Sequence, residues 1–449
     1  METGLIAPIE VQVELTQVCN WRCRHCYNHW RPQGKTGMSR LSLSETDLFR
    51  IAEELSANQI PSITITGGEP FSRRDSVFIL LKEMREAGIR ASINTNLSLV
   101  REDDIRKLAD EYGDVPILFS MLAADAMEHE RLAGVPPGTH ARVVANAEFA
   151  IQKGLRVSLN MVLMRENLHA LEDAIRLAKN IGIRTFCATK ALPNAHAPDS
   201  AFLLTSEEVR WSLAELMRIE KQFDMPTDIL GCYPRCLFAD TDAYRRFSYR
   251  ACAAGFTTAT IGTDGSVRPC SHIEMSYGNV FREPFSVIWK RMSGWRKNEF
   301  IPEKCRDCSI VVACRGGCRV NTREQGLRNM DMHADPARLK NVPKKKPVRP
   351  LKMKNEMHGA VMVCPEARFR SEAFGALIYK THPLTLVTVN ASAAAFLKNA
   401  KERNTSFDFP LFLRQSGANT ELELASVRRL YEKLVRKKIL VTSKETERM

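Results

Sequence analysis

Over residues 9–188, short β-branched stretches alternate with longer amphipathic ones, a pattern that dictates repeated strand–helix units around a parallel sheet. Strand candidates fall at 10–15, 62–66, 91–94, 117–121, 157–162 and 184–188. Between them Leu48, Ile51, Ala52 and Leu55, then Ile105, Leu108 and Ala109, then Leu171, Ile175 and Ala178 recur at helical spacing. Gly88 and Gly182 stand where helices should stop. Six units are too few for a closed eight-stranded barrel, so the expected class is α/β with a partial (β/α)6 barrel. In such a fold the loops after the strands build the site.

Composition narrows the setting. The 449 residues are 44% apolar and 26% charged, and no apolar run approaches the ~20 residues of a membrane span. The segment 1–8 has neither the basic flank nor the apolar stretch of a secretory signal, so the expected location is cytoplasmic, with no membrane partner. Thirteen cysteines in a reducing compartment point to metal rather than disulfides. The net charge of +13 fits a solvated surface as well as an acidic partner.

Cys19, Cys23 and Cys26 follow the first strand as Cys-Asn-Trp-Arg-Cys-Arg-His-Cys. Three thiolates so placed can ligate three irons of a cubane and leave the fourth open. A structural zinc site would need a fourth ligand, which His25 or His29 could supply. The spacing closely resembles the signature of radical S-adenosylmethionine (SAM) enzymes, with His25 in the family's aromatic place. Thr66-Gly67-Gly68-Glu69-Pro70, after the second strand, resembles the family's turn toward the SAM amino group. Glycine permits close backbone approach, and Glu69 offers an acceptor for an ammonium. Asn94 to Asn96, Ser120 and Asn160 match positions that in this family contact the SAM ribose or carboxylate, although each alone is an ordinary strand-end residue. The resemblance implies a [4Fe–4S] cluster on Cys19, Cys23 and Cys26 that chelates SAM through its open iron. It also implies reductive cleavage of SAM to a 5′-deoxyadenosyl radical, fed by an electron donor such as a flavodoxin or ferredoxin.

Downstream, Cys252, Gly265 and Cys270 precede Cys305-x2-Cys308-x5-Cys314-x3-Cys318. A hairpin is expected at 259–269, turned by Asp264–Gly265, in a region where metal rather than a large apolar core would organise the chain. The pattern resembles the SPASM extension, which implies two auxiliary [4Fe–4S] clusters. By that resemblance Cys252, Cys270 and Cys318 serve one, and Cys305, Cys308 and Cys314 the other, each one ligand short. The family's final cysteine is absent, since Ala337 follows His333-Ala334-Asp335-Pro336. Cys364 is the next thiol, either the last ligand or a small buried hydrophobe. Cys232 and Cys236 complete the first auxiliary cluster or stay free, and Cys187 belongs to a strand core. A pair of zinc ribbons is the competing reading.

Residues 340–358 read as a basic, proline-rich tether, so the expected division is 1–200, 201–339, 340–358 and 359–449. The last part offers strands at 375–379 and 384–389 and helices from Ala391 and Leu422, the second with Leu424, Val427, Leu430, Tyr431 and Leu434 on one face. It resembles the small winged-helix-like α+β peptide-binding domain, the recognition element of ribosomal-peptide maturation, which takes up a leader as an added strand. Apolar pockets near Leu377, Tyr379 and Leu386 are expected to set specificity. A nucleic-acid-binding winged helix is the alternative, favoured by Arg428, Arg429, Arg436, Lys437 and Lys438.

Together these features lead to the expectation of a radical SAM maturase acting on a precursor peptide held by its leader. A maturase of a folded protein, of the sulfatase-activating type, is the second expectation. An iron–sulfur nucleic-acid-binding regulator is the third, and it leaves Glu69 without a purpose.

Overall fold

The computed structural model describes residues 4–28, 40–193, 200–238, 243–248, 250–323, 330–341, 359–416 and 421–446. Two compact units emerge, one of residues 8–343 and one that joins 1–7 to 344–449. His29 and the tether expected at 340–358 lie outside the described residues, apart from the tether's first two positions.

The larger unit is built on β1 (Glu10–Thr16), β2 (Ser62–Gly67), β3 (Arg90–Thr95), β4 (Ile117–Ser120), β5 (Val157–Leu163) and β6 (Thr185–Lys190). All pair in parallel and in sequence order. Helices α1 (Glu45–Ala57), α2 (Arg74–Ala87), α3 (Glu102–Tyr112), α4 (Ala126–Ala133), α5 (Thr139–Gln152), α6 (Leu171–Asn180) and α7 (Ser206–Phe223) supply the crossovers. Ser44 and Asp47 close a capping box at the start of α1, and Gly88 ends α2 in the left-handed conformation at φ 64°. Successive residues of each strand point to opposite faces. Val11, Val13, Leu15, Ile63, Ile65, Ile93 and Phe119 form an apolar layer that is buried throughout. The other face is polar: Glu14, Thr64, Thr66, Ser92, Asn94, Ser120 and Asn160.

The sheet does not stop at six strands. A two-residue β7 (Thr227–Asp228) extends one edge beside β6. At the other edge β8 (Thr258–Ile261) pairs in parallel with β1, and β9 (Val267–Arg268) returns beside β8. The hairpin expected at 259–269 is therefore an outer part of the barrel sheet. Gly265 at its turn has φ 82°, and a Cβ there would stand 2.3 Å from the Phe281 ring. The cysteine-rich region also owns a small apolar core: Val280, Phe285, Ile288, Trp289, Met292 and Trp295 are buried. Phe285 donates its backbone N–H to Glu54 of α1 at 2.8 Å, which fixes this core to the barrel.

The smaller unit holds an antiparallel sheet of β11 (Arg368–Glu372), β12 (Gly375–Thr381) and β13 (Leu384–Asn390), with β12 central. A second ribbon joins β10 (Met362–Val363) to β14 (Leu440–Val441). Helices Ala391–Glu402, Phe409–Gln415 and Glu421–Arg436 close a core around Ile378, Val387, Leu397, Phe412, Tyr431 and Leu434. Of the expected face of the last helix, Tyr431 and Leu434 enter that core, Val427 and Leu430 border it, and Leu424 is exposed. Leu377 and Tyr379 are buried rather than lining an open pocket, and Leu386 is half-buried. Arg370 and Glu372 form a buried ion pair on β11, and they also bind the Ala7 carbonyl and the Ile6 N–H, each at 2.8 Å.

Candidate active site and cluster centres

The loop that carries Cys19, Cys23 and Cys26 leaves β1 at its carboxyl end, and all three thiols are half-buried. Cys19 Sγ accepts the backbone N–H of Trp21 at 3.4 Å and the Asn96 side-chain amide at 3.9 Å. Such N–H donors stabilise a ligating thiolate. Asn96 also holds Asn20, while Ser98 holds both Asn20 and the Trp21 indole. The segment after β3 thus splints the cysteine loop. On the other side the Trp21 indole packs edge-on against His129, with ring centroids 5.1 Å apart. His129 is fully buried, and burial lowers its imidazole to about 4.

Residues 67–70 press against the same loop. Gly68 and Glu69 donate backbone N–H groups to Thr16 and Val18 at 2.6 and 2.8 Å. A Cβ on Gly68 would stand 2.1 Å from the Val18 carbonyl oxygen, and Gly67 has φ 128°. The close approach that demands glycine here is to the chain entering Cys19. Glu69 also ties this turn to the next strand. Its carboxylate is fully buried and takes Thr95 Oγ1 at 2.6 Å, Asn96 N at 2.7 Å and Phe71 N at 3.0 Å. It fastens the turn to the end of β3, and Pro70 is buried behind it. Asn94, Ser120 and Asn160 lie on the polar face of the sheet, with Ser120 opposite Asn160 in register. Asn160 accepts a hydrogen bond from Thr189 at 2.7 Å.

Several buried polar atoms around this loop have no partner among the described residues: Glu14 Oε1, Gln17 Oε1 and both ends of the Asn28 amide. Unpaired buried groups are costly and mark a place where a polar ligand belongs. Tyr27, next to Cys26, hydrogen-bonds Thr66, and burial together with Glu14 pushes its phenol far above the ordinary range. Its ring stacks on His272 at 4.2 Å, and His272 Nδ1 is 3.9 Å from Cys270 Sγ.

The remaining cysteines of this unit, apart from Cys187 on β6, sort into two groups. In one, the Cys232 thiol stands beside both Cys252 and Cys318, and their mutual interaction raises its own proton affinity and lowers theirs. Cys270 stands beside Cys252 and Cys318, its thiol pushed up to about 12 by burial. Arg319 adds positive charge near Cys252, and its buried Nε has no partner among the described residues. Asp331, also buried, accepts the Cys318 N–H at 2.7 Å. In the other group Cys236, Cys305, Cys308 and Cys314 line one small cavity with Pro234, Ile310 and Val311. Backbone N–H groups of Arg235 and Asp335 reach Cys314 Sγ and Cys236 Sγ, each at 3.3 Å. Among the described residues no three potential ligands have closed to the spacing of a single metal ion. Thiol donors, N–H···S bonds and a nearby guanidinium suit the broader, electron-rich surface of an iron–sulfur cluster.

Cys364 belongs to neither group. It is fully buried in the apolar core of the smaller unit, where it packs as a small hydrophobe. Cys187 lies on β6, and burial pushes its thiol up to about 12. The sequence expectation sends both Cys232 and Cys236 to the first auxiliary cluster or leaves them free, whereas Cys236 lies with the second set. Their four-residue separation was the available signal, but spacing cannot say which group each joins.

Comparison with known proteins agrees with this geometry. Residues 13–178 match the radical SAM superfamily, and residues 252–309 match an iron–sulfur cluster-binding domain, SPASM. A PqqA peptide cyclase of Rhodopseudomonas palustris is 30% identical over 323 residues, which span 70% of this chain and 82% of that one. The chain belongs to the radical SAM superfamily. As a radical SAM enzyme with a SPASM domain it uses SAM, a [4Fe–4S] cluster and auxiliary iron–sulfur clusters. An AdoMet-dependent heme synthase of Methanosarcina barkeri is 24% identical over 330 residues, 70% of this chain and 91% of that one. Streptococcus suis SuiB, solved with its precursor peptide SuiA, superposes with a TM-score of 0.60 at 21% identity, over 73% of this chain and 76% of SuiB. Among the described residues no helix is long and apolar enough to cross a membrane.

Proposed function

We propose that this radical SAM enzyme forms a carbon–carbon, carbon–sulfur or related bond in a ribosomally made precursor peptide that it holds by its leader. Cys19, Cys23 and Cys26 are assigned to the cluster with an open iron. Cys252, Cys270 and Cys318 are assigned to one auxiliary cluster, and Cys305, Cys308 and Cys314 to the other. With SAM bound, the first cluster supplies a 5′-deoxyadenosyl radical, given one electron from a flavodoxin- or ferredoxin-like donor. The chain's own residues orient and protect. Trp21 and Asn96 donate N–H groups to Cys19, and the 67–70 turn holds the loop's entry. The Gln17 amide oxygen and the Asn28 amide, without partners among the described residues, are assigned to SAM. Asn94, Ser120 and Asn160 offer polar contacts along the sheet face, where one substrate hydrogen must meet the radical.

The observation that carries the peptide reading is the edge of β13. Among the described residues β13 pairs only with β12, which leaves a backbone ladder for an added leader strand. The smaller unit lies outside both family matches. A haem-precursor reading has its own support in the heme synthase relative. Titrating a labelled precursor leader, encoded beside this gene, into full-length protein separates the two. Saturable binding that is lost on deleting residues 342–449, with SAM cleavage retained, supports the peptide reading. Absence of binding to any such leader, with turnover of a haem precursor, replaces it.

A further inference from the structure

Neither three-cysteine auxiliary set is complete, and the family's closing cysteine is missing after His333-Ala334-Asp335-Pro336. We propose that the segment Cys232-Tyr233-Pro234-Arg235-Cys236 supplies the fourth ligand to both auxiliary clusters, Cys232 to one and Cys236 to the other. This deepens the proposed function and rests on its assignment of iron–sulfur clusters to these cysteines.

The geometry separates the two thiols. Cys232 contacts Cys252 and Cys318 of the first set. Cys236 shares a cavity with Cys305, Cys308 and Cys314 of the second. The segment between them is built to hold this split. Residues Arg235–Leu237 form a single 3-10 turn, and Pro234 precedes it with φ fixed at −65°. The Arg235 N–H is directed to Cys314 Sγ, which registers the segment against the second set. Tyr233 is buried and lies against Lys190, which places the first half of the segment at the end of β6. The Lys190 ammonium is buried 5.3 Å from the Tyr233 ring centroid and acts on Cys318 as a nearby positive charge. Each thiol loses its proton to solvent when it ligates iron, and no electron is exchanged in that step.

One segment bonded to two clusters has a structural consequence. It runs from the end of β7 to the SPASM region, so the two centres are stitched to the barrel sheet at one place. Four cysteines per cluster also leave neither auxiliary iron open, and SAM binding is then confined to the first cluster.

The test uses full-length protein in a Cys19/Cys23/Cys26→Ala background, reconstituted without oxygen, so that only auxiliary iron is counted. Iron, sulfide, zinc and the EPR spectrum after reduction are measured, with and without ¹³C-cyanide, which binds an iron that lacks a cysteine. The background protein is expected to hold about eight irons per chain and bind no cyanide. Cys232→Ala and Cys236→Ala should each either lose about half of the iron or create one cyanide-binding iron, with different EPR components altered. The double variant should show both changes, and Cys364→Ala neither. Cyanide binding by the unaltered background, or unchanged iron and spectra in both single variants, would overturn the proposal. Iron loss in Cys364→Ala would overturn it as well. Stoichiometric zinc in the background protein would instead remove the cluster assignment on which the proposal rests.

Discussion

Arg268 on β9 and Glu14 on β1 form an ion pair with side chains 4% and 0% exposed. It joins the SPASM hairpin to the first barrel strand beside the cysteine loop. Removing one partner of a buried pair strands the other charge, at a cost of ~3–5 kcal/mol. Arg268→Leu should therefore lower unfolding stability in urea by about that amount, and adding Glu14→Gln should recover part of it. Equal stability of Arg268→Leu and wild type would mean that Glu14 is neutral or solvated.

Gly68 is the tightest approach in the site. In Gly68→Ala the new methyl group must displace the Val18 carbonyl, the residue before Cys19. Misplacing a reacting group by about 1 Å can cost ~10²-fold in rate. The variant should fold, incorporate less iron in its first cluster, and cleave SAM ~10²-fold more slowly. SAM cleavage at the wild-type rate would show that the loop tolerates the shift.

His129 sets an acid limit on the fold. Its ordinary value of 6.5 falls to about 4 in the folded chain, so between these values the unfolded state binds a proton that the folded state refuses. Stability should drop as pH falls through that window, by about 3 kcal/mol from this group, and level off below it. His129→Gln should remove the difference. Denaturant midpoints of wild type and variant from pH 7 to 4 measure it, and parallel curves would contradict the assignment.

In the smaller unit, Ile6 and Ala7 satisfy the buried Glu372 and Arg370 pair. Deleting residues 1–7 leaves these groups short of partners, at ~1–3 kcal/mol each. Limited proteolysis should then cut within 359–446 faster than in full-length protein. Unchanged cleavage rates would mean that β11 does not depend on the N-terminal segment.

Six strands and the cysteine loop could be read in advance because β-branched runs and Cys spacing are local signals. β7 is two residues long, and β8 was legible as half of a hairpin but not as a neighbour of β1, since parallel pairing across more than two hundred residues leaves no local trace. The strand β11, Arg-Phe-Arg-Ser-Glu, carries one apolar side chain and was hidden by its charges, two of which pair inside the fold. At Glu69 the sequence shows a carboxylate at a strand end but not the three donors from the 71 and 95–96 positions that surround it. Leu424 continued a helical stripe past the point where the core ends. The destinations of Cys232 and Cys236 depended on where three separate loops converge, which spacing does not encode.

The most direct measurement joins radical formation to the peptide. Reconstituted enzyme, dithionite, SAM and a precursor peptide encoded beside the gene, deuterated at its side chains, are incubated without oxygen and analysed by mass spectrometry. Deuterium should appear in 5′-deoxyadenosine together with a mass change in the peptide, and both should vanish in Cys19/Cys23/Cys26→Ala. Undiminished SAM cleavage in that variant, or wild-type cleavage that never transfers deuterium from any such peptide, would contradict the account.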